Sequence, residues 1–320
     1  MIHARGLARS FTTRKGRVKT EVTAVAGVDL DVEAGEIVGF LGPNGAGKTT
    51  TLRMLTTLLT PTAGSATVAG FDVATQAAQV RRSIGYVSQM GSTLPEALAG
   101  EEVVDHGRLY GISKAQAEKR GRELFEQLDL DGLWSRKPGA MSGGQRRRLD
   151  IAMGLVHDPT LIFLDEPTTG LDPQARANLW EHISALRTER GATIFLTTHY
   201  LDEADALCDR ILVIDHGRIV ASDTPEALKQ SVSGDLVELV LVDPSTVARA
   251  ADALSALGGT AAVDGLTVSM RVPHAGRELA GLLRALDKDD IALDSIEVRR
   301  PTLDDVFLTV TGRSLREEAA

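Results

Sequence analysis

The sequence predicts an α/β protein built on a mostly parallel sheet, followed by a small α+β domain, and three observations carry that prediction. Short apolar runs (37–41, 161–164 and 193–196) are four or five residues long, rich in β-branched and aromatic side chains, and bounded by polar residues or glycine. Such runs suit strands buried on both faces. Helical patterns separate them, which implies parallel strands joined by crossover helices. Beyond Gly234 the alternation changes to strand, helix, strand, strand, helix, strand.

In chain order, residues 28–33 (VDLDVE) alternate apolar and acidic, as a half-exposed antiparallel strand does. The run 37–41 leads through a glycine-rich loop into a helix over 49–59. A capping Ser113 opens a helix over 114–128. Asp172 with Pro173 opens another over 173–190, since Pro suits the first helical position. Residues 211–214, the turn 215–218 and 219–220 read as a strand, a tight turn and a returning strand. In the last third, strands are expected over 236–242, 260–263, 266–272 and 291–299, with helices over 245–257 and 275–286. That order is the ferredoxin-like arrangement. A helix over 303–310 closes it. The expected domains are residues 1–232 and 233–320.

The 320 residues carry 35 Lys+Arg against 44 Asp+Glu, a net charge of −9, with 43% hydrophobic residues. This is a globular composition, and its acidity argues against a nucleic-acid partner, which needs a basic footprint. One cysteine excludes an intramolecular disulfide and suits a reducing cytoplasm. No window approaches the length of a spanning helix and the first residues lack a signal-peptide pattern, so any membrane role is expected to run through a partner.

The first apolar run ends in Gly42-Pro43-Asn44-Gly45-Ala46-Gly47-Lys48-Thr49-Thr50, which fits G-x-x-x-x-G-K-[ST] between a strand and a helix. In this pattern backbone N–H groups curl around phosphate oxygens, the lysine reaches the β and γ phosphates, and the Thr49 hydroxyl ligates Mg²⁺. The second run ends in Asp165-Glu166. Adjacent carboxylates at a buried strand end are costly to desolvate unless they face a metal or hydrogen-bond donors. Asp165 is the expected Mg²⁺ ligand, and Glu166 the residue that orients or deprotonates water. The third run ends in Thr197-Thr198-His199, and ligands collect outside the carboxyl ends of parallel strands. His199 is therefore expected at the same site, on the γ-phosphate or the water. Ser142 caps a helix, with Gly143, Gly144 and Gln145 able to approach an anion. The run Arg146-Arg147-Arg148 reads as a solvated helix face, and Cys208 as a buried small hydrophobe.

Taken in order, GPNGAGKTT, Gln89, MSGGQ (141–145), LIFLDEP (161–167), Gly170-Leu171-Asp172 and His199 resemble the ATP-binding cassette (ABC) ATPases over residues 2–232. The resemblance implies a P-loop NTPase cassette with an antiparallel β subdomain and a helical subdomain. It also implies ATP and Mg²⁺ as ligands, Phe11 stacking on adenine, and Gln89 contributing to the metal and to catalysis. Asp172 would contact the nucleotide. In this family two cassettes enclose two ATP molecules head to tail, so Ser142, Gly143, Gly144 and Gln145 would close the partner copy's site. The basic stretch 14–19 follows Phe11 as an apparent loop extension. Residues 146–150 (RRRLD) and 301–312 (PTLDDVFLTVTG) are similar to the daunorubicin/doxorubicin-resistance branch. Those subunits pair with a separate membrane permease, on the inner face of the plasma membrane. Two other functions share the motifs: an ABC-type ATPase acting on ribosomes or DNA, and an ATP-switched regulatory binding protein. Against the first stand the single Walker A and signature, 94 positions apart without heptads or a CxxC between them. Against the second stand intact Asp165, Glu166 and His199.

Overall fold

The computed structural model describes residues 1–15, 18–232 and 234–312. The chain divides into two compact units, Met1–Pro225 and a second that begins at Glu226. The strands are β1 (Ile2–Lys15), β2 (Val18–Val32), β3 (Ile37–Leu41), β4 (Ala63–Val68), β5 (Phe71–Asp72), β6 (Ile84–Val87), β7 (Leu161–Asp165), β8 (Thr193–Thr198), β9 (Arg210–Asp215), β10 (Arg218–Asp223), β11 (Asp235–Leu241), β12 (Ala262–Asp264), β13 (Thr267–Val272) and β14 (Leu293–Arg299). The helices are α1 (Lys48–Leu55), α2 (Ala77–Ser83), α3 (Ala99–Leu109), α4 (Lys114–Gln127), α5 (Gly143–Leu155), α6 (Pro173–Arg190), α7 (Leu201–Leu207), α8 (Pro225–Ser231), α9 (Val247–Ser255), α10 (Ala275–Lys288) and α11 (Leu303–Thr311).

The first unit holds two sheets. One, in the order β10-β9-β3-β8-β7-β6, is parallel from β9 to β6. β3, β7 and β8 are buried at every position, as their unbroken apolar runs require. Phe40, Phe163 and Phe195 pack across neighbouring strands with ring centroids 5.5 and 5.7 Å apart, worth about 0.5–1.5 kcal/mol per pair beyond their burial. The register sets Leu41 beside Thr198, Asp165 beside Thr197, and Val87 beside Leu164. Four carboxyl ends therefore finish on one line. The β9–β10 turn uses His216 (φ 45°) and Gly217 (φ 73°), the two left-handed positions a two-residue hairpin favours.

The second sheet, β2-β1-β4-β5, is antiparallel. Arg14, Lys15, Val18 and Lys19 do not form the expected loop extension. Arg14 pairs with Lys19 and Lys15 with Val18, so the described residues of the basic stretch are strand, and Gly16 and Arg17 lie outside the described residues. α4 is stopped at its start by a reciprocal Ser113–Gln116 capping box. The Trp134 indole lies against Gly100 and Gly121, where a Cβ would come within 2.1 and 2.9 Å of it. Gly39 on β3 has a comparable cause: a Cβ there would sit 2.5 Å from Cys208 Sγ, and the thiol is buried.

In the second unit the sheet order is β12-β13-β11-β14, antiparallel throughout. Alternation sends Val237, Leu239 and Leu241 with Val268, Met270 and Val272 into one core, which Leu254 of α9 and Leu282 and Leu286 of α10 complete. A Thr302–Asp305 capping box starts α11, and Asp305 also pairs with Arg271 of β13. Among the described residues no helix is long and apolar enough to cross a membrane.

Candidate active site

The line of strand ends brings most of the expected residues together. The loop after β3 turns through Gly45 (φ 79°) and Gly47 (φ 107°), conformations that favour glycine. A Cβ at Gly47 would meet the Ala24 carbonyl at 2.6 Å, and one at Gly42 the Ile214 carbonyl at 2.3 Å. The loop is thus pressed against β2 and β9. Gly42, Pro43, Ala46 and Gly47 are buried, and Asn44 and Gly45 are exposed. Lys48, 4% exposed, donates from Nζ to the Gly42 carbonyl at 2.6 Å and the Pro43 carbonyl at 3.1 Å, and lies 3.5 Å from Glu166 Oε1.

Glu166 is the centre of the cluster. Gln89 Nε2 donates to its Oε2 at 2.9 Å, Thr169 Oγ1 donates to the same oxygen at 3.2 Å, and His199 Nδ1 stands 3.3 Å from it. Its backbone is left-handed (φ 45°), a conformation costing a non-glycine residue about 1–2 kcal/mol. Its N–H donates to the Thr197 carbonyl at 3.1 Å and to Thr197 Oγ1 at 3.0 Å, which holds that turn in place. Burial opposes the charge on Glu166, but His199, Lys48 and Thr169 together outweigh it and keep the carboxyl below its ordinary range. Asp165 is shifted the other way. Burial dominates and raises it, the Glu166 charge adds to the rise, and hydrogen bonds from Thr197 and Thr49 oppose it.

Thr49 Oγ1 lies 3.4 Å from Asp165 Oδ1, which also accepts from Thr197 Oγ1 at 2.7 Å. A hydroxyl beside a carboxylate raised by burial is a fitting place for a small hard cation, which takes one or two protein oxygens and completes its shell with water and phosphate. Among the described residues no group of three or more His, Cys, Asp or Glu could hold a metal ion.

Other expected residues lie elsewhere. Ser142 caps α5 through a box with Gln145. Ser142 and Gly143 are exposed, and Cβ atoms at Gly143 and Gly144 would face Leu171 at 3.6 Å and Ala175 at 3.2 Å. Asp172 is exposed and accepts from the Ala175 N–H at 2.9 Å as the cap of α6. Phe11 is half-buried on β1, with the Arg9 guanidinium 4.9 Å from its ring centre.

The solvated reading of residues 146–148 is corrected. Arg146 is exposed, but Arg148 is half-buried, bonded to the Leu128 carbonyl at 2.9 Å. Arg147 is 6% exposed and binds main-chain carbonyls around the two carboxylates. Sequence reasoning also missed Thr169, whose position three residues after Glu166 in a tight turn is the one available signal.

Residues 25–169 match the ABC transporter family. The chain is 44% identical to the doxorubicin resistance ATP-binding protein DrrA of Mycobacterium tuberculosis, over 93% of this chain and 91% of that one. It is 43% identical to a daunorubicin resistance ATP-binding protein of Streptomyces coeruleorubidus, over 91% of each, and 41% identical to a Nod factor export ATP-binding protein of Burkholderia lata, over 92% and 93%. Among solved structures, a dimeric post-hydrolysis ATP-binding cassette bound to ADP and phosphate aligns with a TM-score of 0.63 at 26% identity. It covers 70% of this chain and 98% of that one. Identity above 40% across nine tenths of the chain, with the strand ends arranged as described, places it: the chain belongs to the ATP-binding proteins of the ABC transporter family, which bind ATP with Mg²⁺ and hydrolyse it.

Proposed function

We propose that this chain is the ATP-hydrolysing subunit of an exporter of a drug or other hydrophobic small molecule, acting through a separate membrane permease from the inner face of the plasma membrane. The observation that carries the reading is the convergence of Lys48, Gln89, Thr169 and His199 on Glu166, beside Asp165 and Thr49. The names of the relatives, which speak of drug resistance and export, support the cargo class.

In this reading Lys48 and the N–H groups of residues 42–50 bind the phosphates, and Phe11 stacks on adenine. Thr49, Asp165 and Gln89 would hold Mg²⁺, which would supply charge neutralisation on the phosphate oxygens. Glu166, ionised, orients a water and takes its proton as the water oxygen bonds to the γ-phosphorus and the β–γ bridging oxygen departs with ADP. His199 donates to the γ-phosphate. Ser142–Gln145 and Asp172, exposed at helix starts, serve the ATP of a second copy, and the dimeric solved cassettes support that assembly. The described residues of 233–320 form a ferredoxin-like accessory domain, a reading supported by the β12-β13-β11-β14 order.

Glu166→Gln tests it. The variant is expected to bind ATP as the parent does while kcat falls about 10²- to 10⁴-fold. With ATP and Mg²⁺, it is expected to recover a multi-span protein from detergent-solubilised membranes. Unaltered hydrolysis removes Glu166 from the mechanism, and recovery of ribosomes or DNA moves the ATPase to a soluble task.

A further inference from the structure

Arg147 and Asp150 lie one turn apart on α5, and each is only 6% exposed. The Arg147 guanidinium spreads over main-chain carbonyls from two strand ends. Nε donates to Pro167 O at 2.7 Å, Nη2 to Asp165 O at 3.0 Å, and Nη1 to Ser88 O at 2.5 Å. Asp150 Oδ1 accepts from the Ser92 N–H at 2.7 Å and from Ser92 Oγ at 3.1 Å. Between them Gly91 passes so near that a Cβ would lie 2.7 Å from the Asp150 carboxylate. The five residues 88–92 are therefore fastened to α5 at both ends, and the residue they present is Gln89, bonded to Glu166.

The charge of the guanidinium is disfavoured by burial, and the carboxylates of Asp150, Asp165 and Glu203 recover only part of that loss. A buried arginine is expensive when its N–H groups are not satisfied, so the several carbonyls it satisfies explain its presence. Only a planar fork with five donors reaches all of them.

We propose that Arg147 and Asp150 are a positioning pair for hydrolysis, fixing the Gln89 amide and the left-handed Glu166 turn relative to each other from the helix that Ser142 begins. Neither touches a reacting atom. The proposal rests on the reading of Glu166 as the base.

The test compares Asp150→Ala, Arg147→Lys, Gln89→Ala and the double variant Asp150→Ala/Gln89→Ala in the full chain. Asp150→Ala is expected to bind one ATP per chain and keep its KM within about threefold while kcat falls about tenfold or more. The double variant is expected to be no slower than Gln89→Ala, because Asp150 acts through the segment that presents Gln89. In nucleotide-free protein, hydrogen exchange of the 88–92 amides is expected to accelerate in Asp150→Ala, with exchange elsewhere unchanged. Losses that multiply in the double variant overturn the proposal, as does a parental kcat in Asp150→Ala. If Arg147→Lys does not fold, Asp150→Ala and the cycle decide the question. Glu166→Gln is run alongside. Retained turnover there defeats the reading of the base and takes the positioning role with it, whereas an inactive Glu166→Gln with a fully active Asp150→Ala defeats the positioning pair alone.

Discussion

The two units of this chain use sheets in opposite ways. In the first, parallel strands buried on both faces end together, and at that edge lie buried Lys48, Asp165, Glu166 and Arg147. In the second, an antiparallel sheet keeps one apolar face for α9 and α10, and its other side carries exposed or half-exposed pairs such as Glu238 with Arg299. The lesson is one of direction. Parallel strands put all their carboxyl ends on one edge, so side chains following several strands meet there, whereas antiparallel neighbours send consecutive ends to opposite edges.

Three experiments sharpen the contrast. Lys48→Ala removes a buried ammonium from the first unit, and ATP affinity is expected to fall by at least about a hundredfold, about 3 kcal/mol, in a nucleotide titration. A loss below fivefold would mean that the strand edge does not bind the phosphates. Leu282→Ala opens a cavity in the second unit's core and is expected to lower that unit's stability by about 2–5 kcal/mol in hydrogen exchange. ATP affinity should stay within about twofold, and a tenfold change would show the units to be coupled. The smallest effect concerns His157, stacked on Tyr110 at 3.6 Å with Nε2 bonded to the Ile84 carbonyl. Burial lowers it to about 4, helped by the positive charge of Arg120 and by His106 and opposed by that hydrogen bond and by Asp158. The fold thus favours neutral histidine, so its contribution is complete above about pH 6.5 and is lost as pH falls toward 4. Partial exposure screens this to about 1 kcal/mol. His157→Gln should flatten that part of the stability–pH curve, and an unchanged curve would remove His157 from it.

Much of this arrangement was legible in local chemistry. Asp172, Pro173 and Gly191 bracket α6, and the predicted and observed limits of that helix coincide. The apolar runs before Gly42, Asp165 and His199 placed three site segments on one sheet edge. What was not legible depends on distance along the chain. Gln89 meets Glu166 across 77 positions, and no local pattern announces that bond. Arg147 sits in a run of three arginines that reads as a wet face. The carbonyls of Ser88, Asp165 and Pro167, supplied by other segments, make its burial tolerable. The basic charge of residues 14–19 suggests a loop extension, whereas cross-strand pairing of Arg14 with Lys19 and of Lys15 with Val18 follows register and not charge.

The contact between Gly39 and Cys208 has a practical consequence. The chain has one thiol, packed where even a methyl group on the neighbouring strand has no room, and burial pushes its pKa well above the ordinary value. A thiol so placed reacts with a labelling reagent only when the sheet parts from α7. The cassette thus carries a native stopwatch: the rate of single-cysteine labelling, with and without ATP, times the opening of the first unit's core without any introduced probe.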